Sequence, residues 1–129
     1  MLYHATRQRF IGSIKKEGLH AKTKKNFEGQ LGDDLVYFAF NDDVAASYAE
    51  CADNIPESWE DDNIVVLAVN ENNLNKNRFY KDPNIQGDDN STIAYRGCVP
   101  PTLLGILDFK NKKIAPLLSV KRLSDRFYY

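Results

Sequence analysis

The residues best suited to chemistry in this chain fall in two short blocks, Leu2-Tyr3-His4-Ala5-Thr6 near the start and Leu35 to Glu50, LVYFAFNDDVAASYAE. His4 brings an imidazole that donates or accepts a hydrogen bond near neutral pH, and Thr6 brings a hydroxyl. In the second block Tyr37 and Tyr48 offer flat aromatic faces with polar tips. Such rings stack on a planar ligand or fill a core, and periodicity alone does not separate the two readings. The remaining chemistry is sparse. The two cysteines, Cys51 and Cys98, have no second Cys or His at metal-ligand spacing, which predicts no metal site, and they allow at most one disulfide.

Local pattern defines the elements that must position these groups. Leu2 to Ala5 reads as a short strand, and a helix from about Arg7 to Glu17 follows with Phe10, Ile11 and Ile14 on its apolar face. Gly18 sits where a left-handed helix cap is wanted, and Leu19 closes on the helix. From Leu35 to Phe40 the chain is apolar, aromatic and β-branched, a buried strand; Asn41-Asp42-Asp43 then supplies capping side chains for a helix over 42 to 53. Helical spacing groups Val44, Ala45, Tyr48, Ala49 and Ala52, so the expectation is that Tyr48 points toward the sheet with room left by the alanines. Ile64 to Val69, IVVLAV, reads as the central strand. A polar, irregular stretch from Asn70 to Asn90 holds one short piece ending at Phe79-Tyr80. Ser91 to Val99 is a strand stopped by Pro100-Pro101, Leu103 to Phe109 is another, and Ile114 to Leu123 returns as a hairpin partner interrupted by Pro116. Between these elements lie a lysine- and glycine-bearing loop from Ala21 to Asp34, read as mobile and lying over the proposed cleft, and an acidic connection from Asn54 to Asn63, which its own Trp59 is read as pinning to the body. The aromatic tail, Phe127-Tyr128-Tyr129, is expected to dock on the body or to serve an association surface. Many short strands, two helices near the front and no βαβ rhythm predict an α+β domain with a split, mostly antiparallel sheet.

Length and charge narrow the classes. A chain of 129 residues with 43% hydrophobic content is one domain with a real core, and Lys+Arg 17 against Asp+Glu 18 argues against bulk charge as the means of gripping nucleic acid, while leaving room for a local patch. No apolar run approaches membrane-span length and no signal peptide opens the chain, so the expected location is the cytoplasm, without a membrane partner.

Taken together, the two blocks resemble the ADP-ribosyltransferase superfamily, in its poly(ADP-ribose) polymerase-like branch. That branch has a strand ending in His-Gly-Ser, a helix closed by Gly-Leu, a strand of the form Tyr-Phe-Ala and a helix carrying a further Tyr. The corresponding residues are His4-Ala5-Thr6, Glu17-Gly18-Leu19, Tyr37-Phe38-Ala39 and Ser47-Tyr48, at the family's spacing of the two tyrosines, over the first half of the chain. The resemblance implies an ADP-ribosyltransferase-like split sheet and NAD as cofactor. His4, Tyr37 and Tyr48 would be the catalytic residues: Tyr48 stacked on the nicotinamide, Tyr37 lining the other side of the slot, His4 on a ribose hydroxyl. Ala5 through its backbone and Thr6 through its hydroxyl would bind the carboxamide, with Phe38 and Ala39 completing the strand. A cationic ring between aromatic faces is favoured by both quadrupole and apolar contact.

Ala5 and Thr6 replace the usual Gly and Ser. The larger departure is late in the chain. Active polymerase-type members place a Glu on a late strand; here Ala94-Tyr95 is followed by Arg96-Gly97-Cys98, leaving Glu50, Asp88 and Asp89 as candidate substitutes. Val99-Pro100-Pro101 looks more like the RNA 2′-phosphotransferase branch, in which cationic groups bind phosphate; Arg96 fits that role, and Arg7 and Arg9 are further phosphate candidates. The expectation is therefore transfer of a single ADP-ribose from NAD to a macromolecular acceptor, protein or nucleic acid, in a small bacterial or phage effector. The alternatives are a non-catalytic NAD- or ADP-ribose-binding module and an inhibitor that keeps only the fold.

Overall fold

A computed structural model describes residues 1–21, 35–51, 57–59, 62–83 and 90–129. The lysines at 22, 24 and 25, the Trp59 side chain and the acids at 88 and 89 lie outside the described residues. The protein is α+β: the described residues form a seven-stranded sheet, antiparallel at every pairing, with two α-helices drawn from the first half of the chain. Its strands are β1 (Leu2–Arg7), β2 (Val36–Ala39), β3 (Ile64–Val69), β4 (Phe79–Tyr80), β5 (Thr92–Tyr95), β6 (Gly105–Asp108) and β7 (Lys113–Pro116), in the order β4-β5-β2-β1-β3-β6-β7. The helices are α1 (Ile11–Glu17) and α2 (Asp42–Glu50).

IVVLAV is buried at all six positions because β3 is sandwiched on both faces and flanked on both edges, as its unbroken apolar run predicts. The larger core lies on one face, where Leu2, Val36, Phe38, Val65, Leu67, Tyr95 and Ile106 meet Ile11 and Ile14 of α1. On the other face α2 rests on the sheet through Ala46 against Val66 and Leu107, with Tyr3 and Ala5 packed alongside. Small side chains let this helix approach the strands closely. Its start follows the sequence: the Asn41 side chain accepts from the N–H groups of Asp43 and Val44, at 2.8 and 3.3 Å, and Asp42 and Asp43 occupy the favourable positive end of the helix.

Several boundaries move for physical reasons. β1 runs on through Arg7, since Thr6 and Arg7 still pair with Val65 and Ile64, so the first helix starts later, with a 3₁₀ turn at Gln8–Phe10 ahead of α1. The strand expected to reach Val99 stops at Tyr95: Gly97 takes φ +150°, and Val99 pairs instead with Leu19 beyond α1. Pro101 initiates a 3₁₀ turn that delays β6 to Gly105, and after Pro116 the chain leaves the ladder as a second such turn. No helix among the described residues is long and apolar enough to cross a membrane. Cys51 and Cys98 are exposed free thiols.

The tail docks. Phe127 is buried, the Tyr129 N–H donates to Ile64 O at 2.9 Å, and Phe109 N–H donates to Arg126 O at 2.7 Å. Asp108 anchors this corner: it accepts from the Lys110 and Asn111 N–H groups and the Asn111 amide, and pairs with Arg126 Nε at 3.2 Å. Burial pushes its carboxyl up, but the Asn111 hydrogen bonds, with help from Arg126 and Lys110, outweigh burial and hold it below the ordinary aspartate value. A depressed folded-state value contributes stability that is complete above the unfolded value and is lost as pH falls through the folded one. Asp108→Asn is therefore expected to lower the thermal midpoint at neutral pH, with the gap to wild type closing on acidification below about 3.9. A gap constant across that range would contradict this account of the corner.

Candidate functional site

The two sequence blocks come together at the junction of β1 and β2. This junction is thin. β1 pairs with β3 along its whole length, from Leu2 with Val69 to Arg7 with Ile64, whereas β1 and β2 share the single register Tyr3 with Ala39. One residue on, a side chain takes over from the backbone: His4 Nδ1 lies 2.7 Å from Tyr37 O. A carbonyl only accepts, so Nδ1 carries a proton, and Nε2 is buried. The ring also meets Phe38 edge-on, with centroids 6.0 Å apart.

Strand alternation sorts the other candidates between the two faces. Tyr3, paired with Ala39, packs beneath α2, so Ala5, Arg7, Tyr37 and Ala39 belong to the α2 face; β5 extends that face with Thr92 and Ala94, which pair with Ala39 and Tyr37. His4, Thr6 and Phe38 belong to the large-core face. The side chains of Ala5 and Thr6 therefore face opposite ways. Ala5 is half-buried near α2, while Thr6 is 4% exposed on the opposite side of the strand.

Tyr48 also sits differently from the expectation. The packed face of α2 is Ala45 and Ala46, with Ala49 half-buried, and Tyr48 lies on the helix flank, 39% exposed. Tyr37 is half-buried. Small residues make up the buried face of the helix, Ala45 and Ala46. A tyrosine at that flank borders the α2 face without filling its core.

The arginines divide. Arg7, a candidate phosphate ligand by sequence, is 8% exposed and built into the scaffold: Nη1 donates to Asp62 O at 2.7 Å and Nη2 to Ala49 O at 3.3 Å. The Ala49 carbonyl is in the last turn of α2, where a cation also complements the helix dipole. Arg9 pairs with the Asp62 carboxylate at 2.8 Å. Arg96, by contrast, is exposed just past β5, its guanidinium 5.1 Å from the Tyr80 ring centroid.

β5 itself, Thr92-Ile93-Ala94-Tyr95, carries no carboxylate. The acid the structure brings to it is Asp82, which reads from sequence as a solvated loop residue. It is 6% exposed and accepts from Thr92 Oγ1 at 2.9 Å. Its signal was its place two residues beyond Tyr80, the alternation that continues β4 alongside Thr92. Of the candidate substitutes Glu50, Asp88 and Asp89, Glu50 is the one among the described residues, and it is exposed at the end of α2. Comparison of the chain with protein-family models, curated proteins and solved structures finds no match.

Proposed function

We propose that the protein is an NAD-dependent mono-ADP-ribosyltransferase-like protein whose cleft lies on the α2 face between β1 and the β2–α2 unit. The observation that carries this reading is the side-by-side placement of the two blocks, locked by the His4 Nδ1–H bond to the Tyr37 carbonyl. The thin β1–β2 junction also accords with the split sheet that the resemblance implies. In this reading Tyr37 and Tyr48 flank the nicotinamide, the backbone at Ala5 with Ala39 lines the floor, and His4, whose ring turns to the large-core face, positions the two strands through its bond to the Tyr37 carbonyl. Phe38 steadies the histidine, Thr6 and Arg7 support the frame, and Arg96 is the exposed cation at the edge. NAD held there would supply the ADP-ribosyl group: its bond to nicotinamide would break with the electron pair returning to the ring nitrogen, and an acceptor heteroatom would bond the ribose carbon and release its proton to water. A β5 without a carboxylate favours a second reading, an NAD- or ADP-ribose-binding module without turnover.

Calorimetry with NAD on wild type, His4→Ala and Tyr48→Ala, with nicotinamide release followed in the same samples, separates these. Tyr48→Ala is expected to weaken NAD binding by about 1 to 3 kcal/mol through lost stacking. The fold should be unaffected, because the ring is exposed. Release of nicotinamide that depends on His4 supports the transferase; binding without release supports the module. Equal affinity in wild type and Tyr48→Ala, or no binding at all, sinks the cofactor assignment.

A further inference from the structure

Beyond the NAD reading, and independent of it, we infer that the β4–β5 edge of the sheet is a binding site for single-stranded nucleic acid. The chain is near neutral overall, yet Lys76, Arg78, Lys81 and Arg96 are all exposed within one short edge. β4 is the terminal strand of the sheet, Arg78 precedes it, Lys81 follows it, and Lys76 opens the 3₁₀ turn that leads into it. Two backbone-directed bonds fix the arginines across the strand pair: Arg96 N–H donates to Arg78 O at 2.9 Å, and Arg78 Nη1 donates to Arg96 O at 2.9 Å. Tyr80 stands among these cations 45% exposed, with Arg96 against its ring.

An exposed aromatic ring embedded in cations is the combination that single strands use. Phosphates meet the positive side chains while a base stacks on the ring, and an arginine adds cation–π attraction. A flat sheet edge suits splayed bases better than the rigid backbone of a duplex. The surface also adjoins the proposed cleft, since Tyr80 and Tyr37 both pair with Ala94 and therefore share a face, about 10 Å apart by two strand spacings. A strand held here would pass beside the α2 face.

The test is fluorescence anisotropy of labelled oligothymidylate and oligouridylate of about 15 nucleotides with the full chain, between about 50 and 200 mM salt, using wild type, Tyr80→Ala, Arg96→Gln and the double variant, each checked for an unchanged melting curve. Expected is salt-sensitive binding, weakened at least about tenfold by Tyr80→Ala, and with the salt slope reduced by about 0.7 in Arg96→Gln. Bound NAD should leave the oligonucleotide in place. Absence of binding at the lower salt overturns the proposal. So does indifference to both substitutions, equal affinity for a duplex or for polyglutamate, or displacement by NAD, which would assign Arg96 to the dinucleotide. Only displacement by NAD bears on whether NAD binds, and it supports that reading while overturning this one, so the two readings fail separately.

Discussion

Arg7→Met is expected to cost on the order of 3 kcal/mol of folding stability while leaving any affinity for NAD or phosphate unchanged in the folded fraction. The guanidinium is 8% exposed and serves two carbonyls, Asp62 O and Ala49 O, on segments far from it in sequence. Methionine keeps much of the volume and removes both donors. Each carbonyl left buried without a donor loses about 1 to 3 kcal/mol, and bonds from a charged donor sit toward the upper end of that range. The cation's interaction with the last turn of α2 is lost as well. Arg7→Lys separates charge from geometry: an ammonium retains the charge but lacks the fork that reaches two acceptors, so it should recover only part of the loss. Urea unfolding of the three proteins reads the result. A loss under about 0.5 kcal/mol in Arg7→Met together with weaker ligand binding would return Arg7 to the role its place after His4-Ala5-Thr6 suggested.

Arg7 illustrates where reading the sequence stops. What was legible was local: the unbroken apolar run of β3, the Asn41 cap and the halt at Pro116 each follow from residues within a few positions. Arg7 is fixed by Asp62 and Ala49, partners 55 and 42 residues away, and no spacing around it announces them. Asp82 reads as solvated for the same reason, since its burial depends on β5 arriving alongside. The Tyr48 expectation failed differently. Helical spacing groups it with Ala45 and Ala49, but the stripe is broad enough that Ala46 can take the sheet instead, and the closeness of that packing decides for the smaller side chain. The burial of Thr6 is a matter of alternation: neighbours in a strand face opposite ways, so its side chain turns to the large-core face while Ala5 lies on the α2 face. The junction that unites His4 with Tyr37 was not legible in the residues around either, because loop length and composition say nothing of which strands pair.

Gly18→Ala should be the more damaging of the two substitutions, lowering stability by roughly 3 to 5 kcal/mol, out of a total that for such domains is on the order of 5 to 15. Two costs coincide. Gly18 holds φ +82°, a conformation that strains an L side chain by about 1 to 3 kcal/mol. Its added Cβ would also stand 2.5 Å from Val99 O and 3.1 Å from Cys98 Sγ. Backbone oxygen cannot swing away as a side chain can, and this oxygen is already held: Leu19 N–H donates to Val99 O at 2.9 Å and Val99 N–H returns to Leu19 O at 2.8 Å. To admit the methyl group, the end of α1 must lift from the Val99 segment, weakening that bridge and loosening Ile14, Leu19 and Val99 in the large core. Gly12→Ala supplies the opposite sign within the same helix. That glycine is exposed in α1 with nothing within 4 Å of an added Cβ, so alanine there should stabilise by about 0.5 to 1 kcal/mol through helix propensity and a less flexible unfolded chain. Denaturant unfolding of both variants settles the matter together: a Gly18→Ala loss no larger than about 1 kcal/mol would mean that the helix end can shift freely, and that the Leu19–Val99 bridge does not fix α1 against the sheet that carries His4 and Tyr37.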